Sequence, residues 1–238
     1  MRIDIITLFP EFFESFVQHS IVGRAVKNNK LKIVTHNLRD YADDKYKSVD
    51  DHPYGGGPGM VLKVDVLHRA LIDVGSKILD SIAKVILLTP QGQVYKQKMA
   101  LELAQATNLI LICGHYEGFD ERIRKYVDME ISVGDYVLTG GEIPAMIVTD
   151  SVARLLTGVL GDDASSHEES FSPSTSSGSA MLLEYPQYTR PEEYEGEKVP
   201  KILMNGNHAE IDKWRREQAI ARTKTRRPDL ICDSDTMN

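Results

Sequence analysis

Two short runs, Lys84–Leu88 (Lys-Val-Ile-Leu-Leu) and Asn108–Cys113 (Asn-Leu-Ile-Leu-Ile-Cys), constrain this chain more than any other feature. Each is nearly all apolar, as expected of strands covered on both faces. Gln93–Gln105 between them reads as a helix, and strand, helix, strand in that order points to a mostly parallel α/β sheet. The N-terminus starts the same way. Met1–Phe9 reads as a strand, and Glu11–Lys27 sets Phe12, Phe13, Phe16, Val17, Val22 and Val26 on a helical period. At 238 residues, 42% of them hydrophobic, the chain can build one large α/β domain and a smaller second one.

Several classes of protein drop out. The longest apolar run, around Ile143–Val148, is far short of the roughly 20 residues of a membrane span. Met-Arg-Ile-Asp-Ile-Ile is no basic lead to a cleavable apolar segment, so a cytosolic protein is expected. Cys113 and Cys232 form neither a disulfide framework nor a metal-binding spacing, and no structural metal is expected.

Both apolar runs end in turn residues, Thr89-Pro90-Gln91-Gly92 and Gly114-His115-Tyr116-Glu117-Gly118. In open α/β sheets ligands sit beyond the carboxyl ends of the strands. A third loop, within Ser132–Met146, places Gly134, Gly140 and Gly141 with Tyr136, Asp135, Glu142 and Pro144 at an apparent strand-to-helix junction. Something must approach the backbone closely there, and the three loops are candidates for one shared pocket. Tyr54-Gly55-Gly56-Gly57-Pro58-Gly59 superficially matches a phosphate loop, but no apolar strand precedes it and Pro58 lacks the N–H of a cradle. It reads as a rigid loop admitting a backbone or a base, or as an ordinary tight turn.

Composition changes at Gly161. Residues 162–180 are rich in Ser and acid and nearly empty of aliphatics, which reads as a linker or mobile loop. The expected layout is a first domain over residues 1–160, a linker over 161–180 and a small helical domain over 181–238. Asn207-His208-Ala209-Glu210 resembles a capping box, and the helix it opens should end before Pro228. Although the whole chain carries a net charge of −7, residues 213–227 carry Lys213, Arg215, Arg216, Arg222, Lys224, Arg226 and Arg227 against Glu217 alone. Such asymmetry fits either a polyanion contact or a solvated helix face. Glu168 and Glu169 read as a solvated pair, or as a base that a loop brings to substrate. Arg154, beside Leu155 and Leu156, could snorkel or hold an anion or a purine oxygen in its planar fork. His208 is a catalytic candidate or simply a polar residue at a helix start.

Five motifs now stand in order: His-Pro-Tyr-Gly-Gly-Gly-Pro-Gly-Met (52–60), Gly-His-Tyr-Glu-Gly-Phe-Asp-Glu-Arg (114–122), Gly-Asp-Tyr-Val-Leu-Thr-Gly-Gly-Glu-Ile-Pro-Ala-Met (134–146), Pro-Gln-Tyr-Thr-Arg-Pro (186–191) and Gly-Asn-His-Ala-Glu-Ile (206–211). Together they resemble the bacterial tRNA (guanine-N1)-methyltransferases, the TrmD family of the SPOUT class, from Met1 to about Leu230. The resemblance implies a parallel α/β sheet with a deep trefoil knot, followed by a small, mainly helical domain. It implies a homodimer whose active sites lie between subunits, and transfer of the methyl of S-adenosylmethionine to N1 of the guanosine at tRNA position 37, with no role for DNA or a membrane. By the same resemblance Leu88, Thr89, Pro90, Gly114, Tyr116, Glu117, Gly118, Val133, Gly134, Asp135, Tyr136, Val137, Leu138, Gly140, Gly141 and Pro144 hold the cofactor. Asp50, Gly59, Ser165, Arg215, Arg216 and Arg222 meet the tRNA, Arg154 approaches O6 of the target base, and Mg²⁺ is a candidate second cofactor with Glu117 among its contributors.

The family's general base is an aspartate in a Glu-Asp-Ser-Phe setting. Here Glu169 occupies that place in Glu168-Glu169-Ser170-Phe171, with one more methylene. Residues Ser172–Ala180 are also extra where the family passes quickly to the Leu-Leu-Glu segment. Two other readings stay open: a SPOUT methyltransferase acting on another RNA, and a cofactor-binding RNA module with weak catalysis.

Overall fold

The structure, a computed structural model, describes residues 1–78, 83–160, 169–171 and 181–231. It divides into two compact units, Met1–Gly161 and Asp162–Asn238. In chain order the first contains β1 (Arg2–Thr7), α1 (Ser20–Lys27), β2 (Lys32–Asn37), β3 (Asp50–Asp51), β4 (Val61–Leu62), α2 (Val64–Ser76), β5 (Lys84–Val94), α3 (Gln97–Leu103), β6 (Asn108–Cys113), β7 (Met129–Ser132) and α4 (Glu142–Ala153).

Five of these strands form one sheet in the order β2-β1-β6-β5-β7, every pair parallel. The apolar runs are its centre because both of their faces are covered. Leu109, Leu111 and Cys113 of β6 join Ile3 and Ile5 of β1 against α1, α3 and α4. The alternate residues Ile110 and Ile112 face the other way, with Ile6, against Val66, Leu67, Ala70 and Val74 of α2.

Two helices differ from the sequence expectation. The period over Glu11–Lys27 spans a 3₁₀ turn at Pro10–Phe13 and a separate α1, broken where Ser20 takes φ of 58° and Phe12 turns to solvent. Gln93–Gln105 begins as strand: Gln93 and Val94 pair with Ile131 and Ser132, so α3 starts only at Gln97. Pairing along the edge of β7 satisfies backbone groups that a helix there would leave orphaned.

The second unit contains the hairpin β8 (Glu193–Tyr194) and β9 (Glu197–Lys198), then α5 (His208–Arg226). Asn207 is the N-cap of α5, but the capping box does not form. Asn205 replaces it, accepting from the Asn207 N–H at 2.9 Å and donating to Glu210 at 2.9 Å. Apart from residues 169–171, the expected linker lies outside the described residues, and so do Ser165, Glu168 and Cys232. Among the described residues no helix is long and apolar enough to cross a membrane.

Candidate active site

Register brings the three loops together. Leu88 of β5 lies beside Cys113 of β6 and Ile131 of β7, so the segments that follow all leave the sheet at one carboxyl edge. They enclose a cavity of about 280 Å³, close to the lower end of small-molecule sites. Of the residues expected to hold a cofactor, all but Asp135 line it; Asp135 is exposed in the same loop.

Contact between two of the loops is backbone on backbone. Gly141 donates its N–H to the Gly114 carbonyl at 2.8 Å, and His115 bridges Gly140. A methyl group on Gly141 would lie 2.6 Å from the Cys113 α-carbon and from the Gly114 nitrogen, so no side chain fits there. Gly141 then caps α4, and Pro144 sits in its first turn, where an N–H would have no helical partner. Glu142 also lies in that turn. It is buried, and it accepts a hydrogen bond from the Thr7 hydroxyl at 2.7 Å, tying α4 to the end of β1. The Cys113 thiol lies in the same interior. Its burial, with the nearby Glu142 charge, pushes it well above the ordinary thiol range against a lowering hydrogen bond from Thr7. His115 Nδ1 is buried beside Gly140, without a hydrogen-bond partner among the described residues.

The loop containing Gly55–Gly59 is fastened to the cavity wall. Glu117 donates its N–H to Met60 O at 3.0 Å, Leu62 donates to Gly118 O at 2.9 Å, and Asp120 donates to Leu62 O at 3.0 Å. Gly59 has φ of +81°, a conformation that favours glycine, and a methyl there would also have to displace the flexible Glu117 side chain, whose Oε1 lies 2.4 Å away. Asp50 stands half-buried in β3, paired with Leu62 of β4. The expected RNA residues Asp50 and Gly59 are thus joined through one short hairpin to the cavity residues Glu117 and Gly118.

Arg154 is not brought to this cavity. It caps the far end of α4, about 18 Å along a helix that starts at the cavity. Nearby, Gly158 faces Lys30, at the amino ends of the strands. In the second unit, Glu169 precedes two anchored residues. The Ser170 hydroxyl accepts from the Glu184 N–H at 3.0 Å, and the Phe171 N–H donates to Leu182 O at 2.9 Å. Leu183 donates to the hydroxyl of buried Thr223 on α5 at 2.9 Å, which links the Glu169 segment to the basic helix. Arg215 lies over the Tyr185 ring at 4.8 Å, Arg216 is exposed and Arg222 is half-buried.

Several cavity residues were absent from the sequence expectation. His115, Phe119 and Glu121 belong to a motif already singled out, so proximity could have suggested them. Gln91 and Arg124 also line the cavity. Gln91 sat in a recognised turn, whereas nothing in the sequence marks Arg124.

Comparison with known proteins agrees with this architecture. The sequence model of the family described as tRNA (Guanine-1)-methyltransferase TrmD matches residues 1–233. The tRNA (guanine-N(1)-)-methyltransferases of Staphylococcus aureus strains MRSA252 and JH9 are each 53% identical over 232 residues, covering 97% of this chain and 91% of theirs. Fold and comparisons define an α/β methyltransferase. The chain belongs to the tRNA (guanine-N1)-methyltransferase family, TrmD.

Proposed function

We propose that this chain transfers the methyl group of S-adenosylmethionine to N1 of guanosine at position 37 of tRNA, working in the cytoplasm as a homodimer. The observation that carries this reading is the cavity at the carboxyl edge of β5, β6 and β7, walled by Leu88–Gln91, Gly114–Phe119, Ile131–Gly134 and Tyr136–Gly141. Its residues suit the cofactor: glycine backbone offers N–H and C=O groups to adenine and ribose, while Leu88, Leu138 and Pro144 supply apolar contact. S-adenosylmethionine brings an electrophilic sulfonium methyl. The close approach of residues 140–141 to residues 113–115 also supports the family's trefoil crossing. Mg²⁺ fits less well. Glu117 is the one expected contributor, and no group of three His, Cys, Asp or Glu gathers among the described residues, so no step is assigned to a metal.

Guanine N1 carries a proton and a delocalised lone pair, so a base must remove that proton as the methyl arrives. Glu169 takes this role, its carboxylate accepting the N1 proton. Arg154 stabilises the negative charge that develops on O6, through a guanidinium that lysine does not imitate. Because α4 carries Arg154 away from the cavity of its own chain, that guanidinium reaches the base from the partner subunit. The second unit supplies the phosphate contacts through Arg216 and Arg222 of α5, with Arg215 held against Tyr185.

Labelled methyl transfer to tRNA transcripts differing only at position 37 tests the substrate: incorporation with guanosine and none with adenosine is expected, and equal incorporation refutes the assignment. Glu169→Gln should reduce single-turnover methyl transfer by at least about 100-fold, and a near-wild-type rate removes Glu169 as the base. Arg154→Ala and Gly141→Trp should each be inactive alone yet regain activity when mixed as heterodimers, because one cavity then meets an intact Arg154. Failure of that rescue places Arg154 and the cavity in the same subunit.

A further inference from the structure

The residue that nothing in the sequence announced has the densest set of polar contacts on the cavity rim. Arg124, in the 3₁₀ segment Glu121–Tyr126, lines the cavity with Gln91 and Glu121. Its three guanidinium nitrogens go to three different elements. Nε donates to Glu121 Oε2 at 2.8 Å, Nη2 donates to Gln91 Oε1 at 2.6 Å, and Nη1 pairs with Glu130 of β7.

What these contacts hold is an irregular piece of strand. β5 pairs with β7 up to Leu88–Ile131, then loses register and resumes at Gln93–Ile131. The intervening residues, Thr89–Gly92, bulge toward the cavity, and Thr89, Pro90 and Gln91 form one wall of it. A bulge leaves ladder groups unpaired and needs support from elsewhere. Gly92 supplies part of it by lying flat on β7, where a methyl would be 2.5 Å from the Glu130 carbonyl carbon and the Ile131 nitrogen. The Thr89 hydroxyl accepts a long bond, 3.3 Å, from the Gln91 N–H. The tie from the bulge's Gln91 side chain back to β7 runs through Arg124.

We infer that Arg124 is a positioning residue for the methyl donor: it clamps the β5 bulge to β7 and so sets the wall formed by Thr89–Gln91. The clamp has a second effect. Because Gln91 Oε1 is occupied as an acceptor by Arg124, the amide is oriented with its N–H₂ donors free of protein partners among the described residues. The wall therefore offers donors, suited to hydroxyl, carboxylate or ring-nitrogen acceptors of the cofactor. Lysine keeps the charge but, as a point donor, does not span Gln91, Glu121 and Glu130 together.

This inference rests on the cavity being the cofactor site, and the experiment separates the two. Calorimetric titration of the wild-type dimer with S-adenosylhomocysteine comes first; absence of binding refutes the cavity reading itself. Given wild-type binding, Arg124→Met should weaken the Kd about tenfold. KM for S-adenosylmethionine should rise in parallel, with kcat at saturating cofactor and KM for tRNA near wild type. Arg124→Lys, which keeps the charge, should show most of the same loss, and Gln91→Ala in the Arg124→Met background should add little. A wild-type Kd in Arg124→Met overturns the inference. So does a Gln91→Ala effect that multiplies with that of Arg124→Met, since the two residues would then act separately. Should Arg124→Met fail to fold, Arg124→Lys and Gln91→Ala alone carry the same test: unchanged affinity in both refutes the clamp.

Discussion

Single atoms decide what residues 113, 114 and 141 tolerate. Gly141→Ala forces a methyl into the Cys113–Gly114 backbone, and overpacking of this kind costs about 1–3 kcal/mol. The expected result is a lower urea midpoint together with loss of S-adenosylhomocysteine binding; a variant that melts and binds like wild type would show that the loops separate freely. A second buried group sits away from the cavity. Asp4 is fully buried in β1, and burial alone would raise its carboxyl, but hydrogen bonds from His36 at 2.7 Å and Arg2 at 2.7 and 2.8 Å, with their charges, hold it below the ordinary value. A carboxyl lowered by folding stabilises in full above its unfolded value, near 3.9, and that contribution is lost as pH falls through the folded value. Urea midpoints should therefore fall for wild type as pH drops below about 4, and Asp4→Asn should flatten that acid slope while lowering the neutral-pH midpoint. An unchanged slope would mean that other carboxylates govern acid unfolding.

At the scale of elements, legibility followed the source of each constraint. The central strands were readable because Ile86–Leu88 and Leu109–Cys113 are buried on two faces, which confines polar residues to the strand ends at Lys84 and Asn108. The β5 extension was not, because Gln93 and Val94 are strand only through pairing with β7, a tertiary event that a local pattern does not encode. Helix 11–27 misled for a related reason: apolar residues at helical spacing serve two segments separated by the left-handed Ser20. Likewise Asn207 has the right chemistry for a cap, yet Asn205 completes the turn. In the second unit, buried Thr223 accepts from Leu183 and donates to Ala219 O at 2.7 Å. Thr223→Val leaves the Leu183 N–H unpaired, a cost of about 1–3 kcal/mol. Its expected signature is slower methyl transfer with unchanged S-adenosylhomocysteine affinity, since the Leu182–Glu184 segment it releases anchors Ser170 and Phe171 beside Glu169. Parallel loss of both would show that the two units do not separate these tasks.

For the molecule as a whole, the acidic sequence conceals a local cationic helix, and that asymmetry is measurable. Arg216 is exposed, so Arg216→Gln should reduce the salt slope of tRNA binding by about one without altering thermal stability, whereas Arg215→Gln also removes the stack on Tyr185 and should lower stability too. A stability loss in Arg216→Gln would reveal a structural role for that residue. The cavity walls were legible because their glycines and turns are local requirements, while Arg124 and the Thr7–Glu142 contact were not, since each joins segments that only folding brings together. The course of α4 carries one further consequence. Under the proposed homodimer, a helix that starts at the cavity and carries Arg154 at its far end would make turnover depend on protein concentration and leave ligand capture independent of it. That proposal predicts that, on serial dilution, specific activity per chain falls away while cofactor occupancy stays constant, a lone subunit acting as a loaded but silent carrier; constant specific activity would refute the shared site.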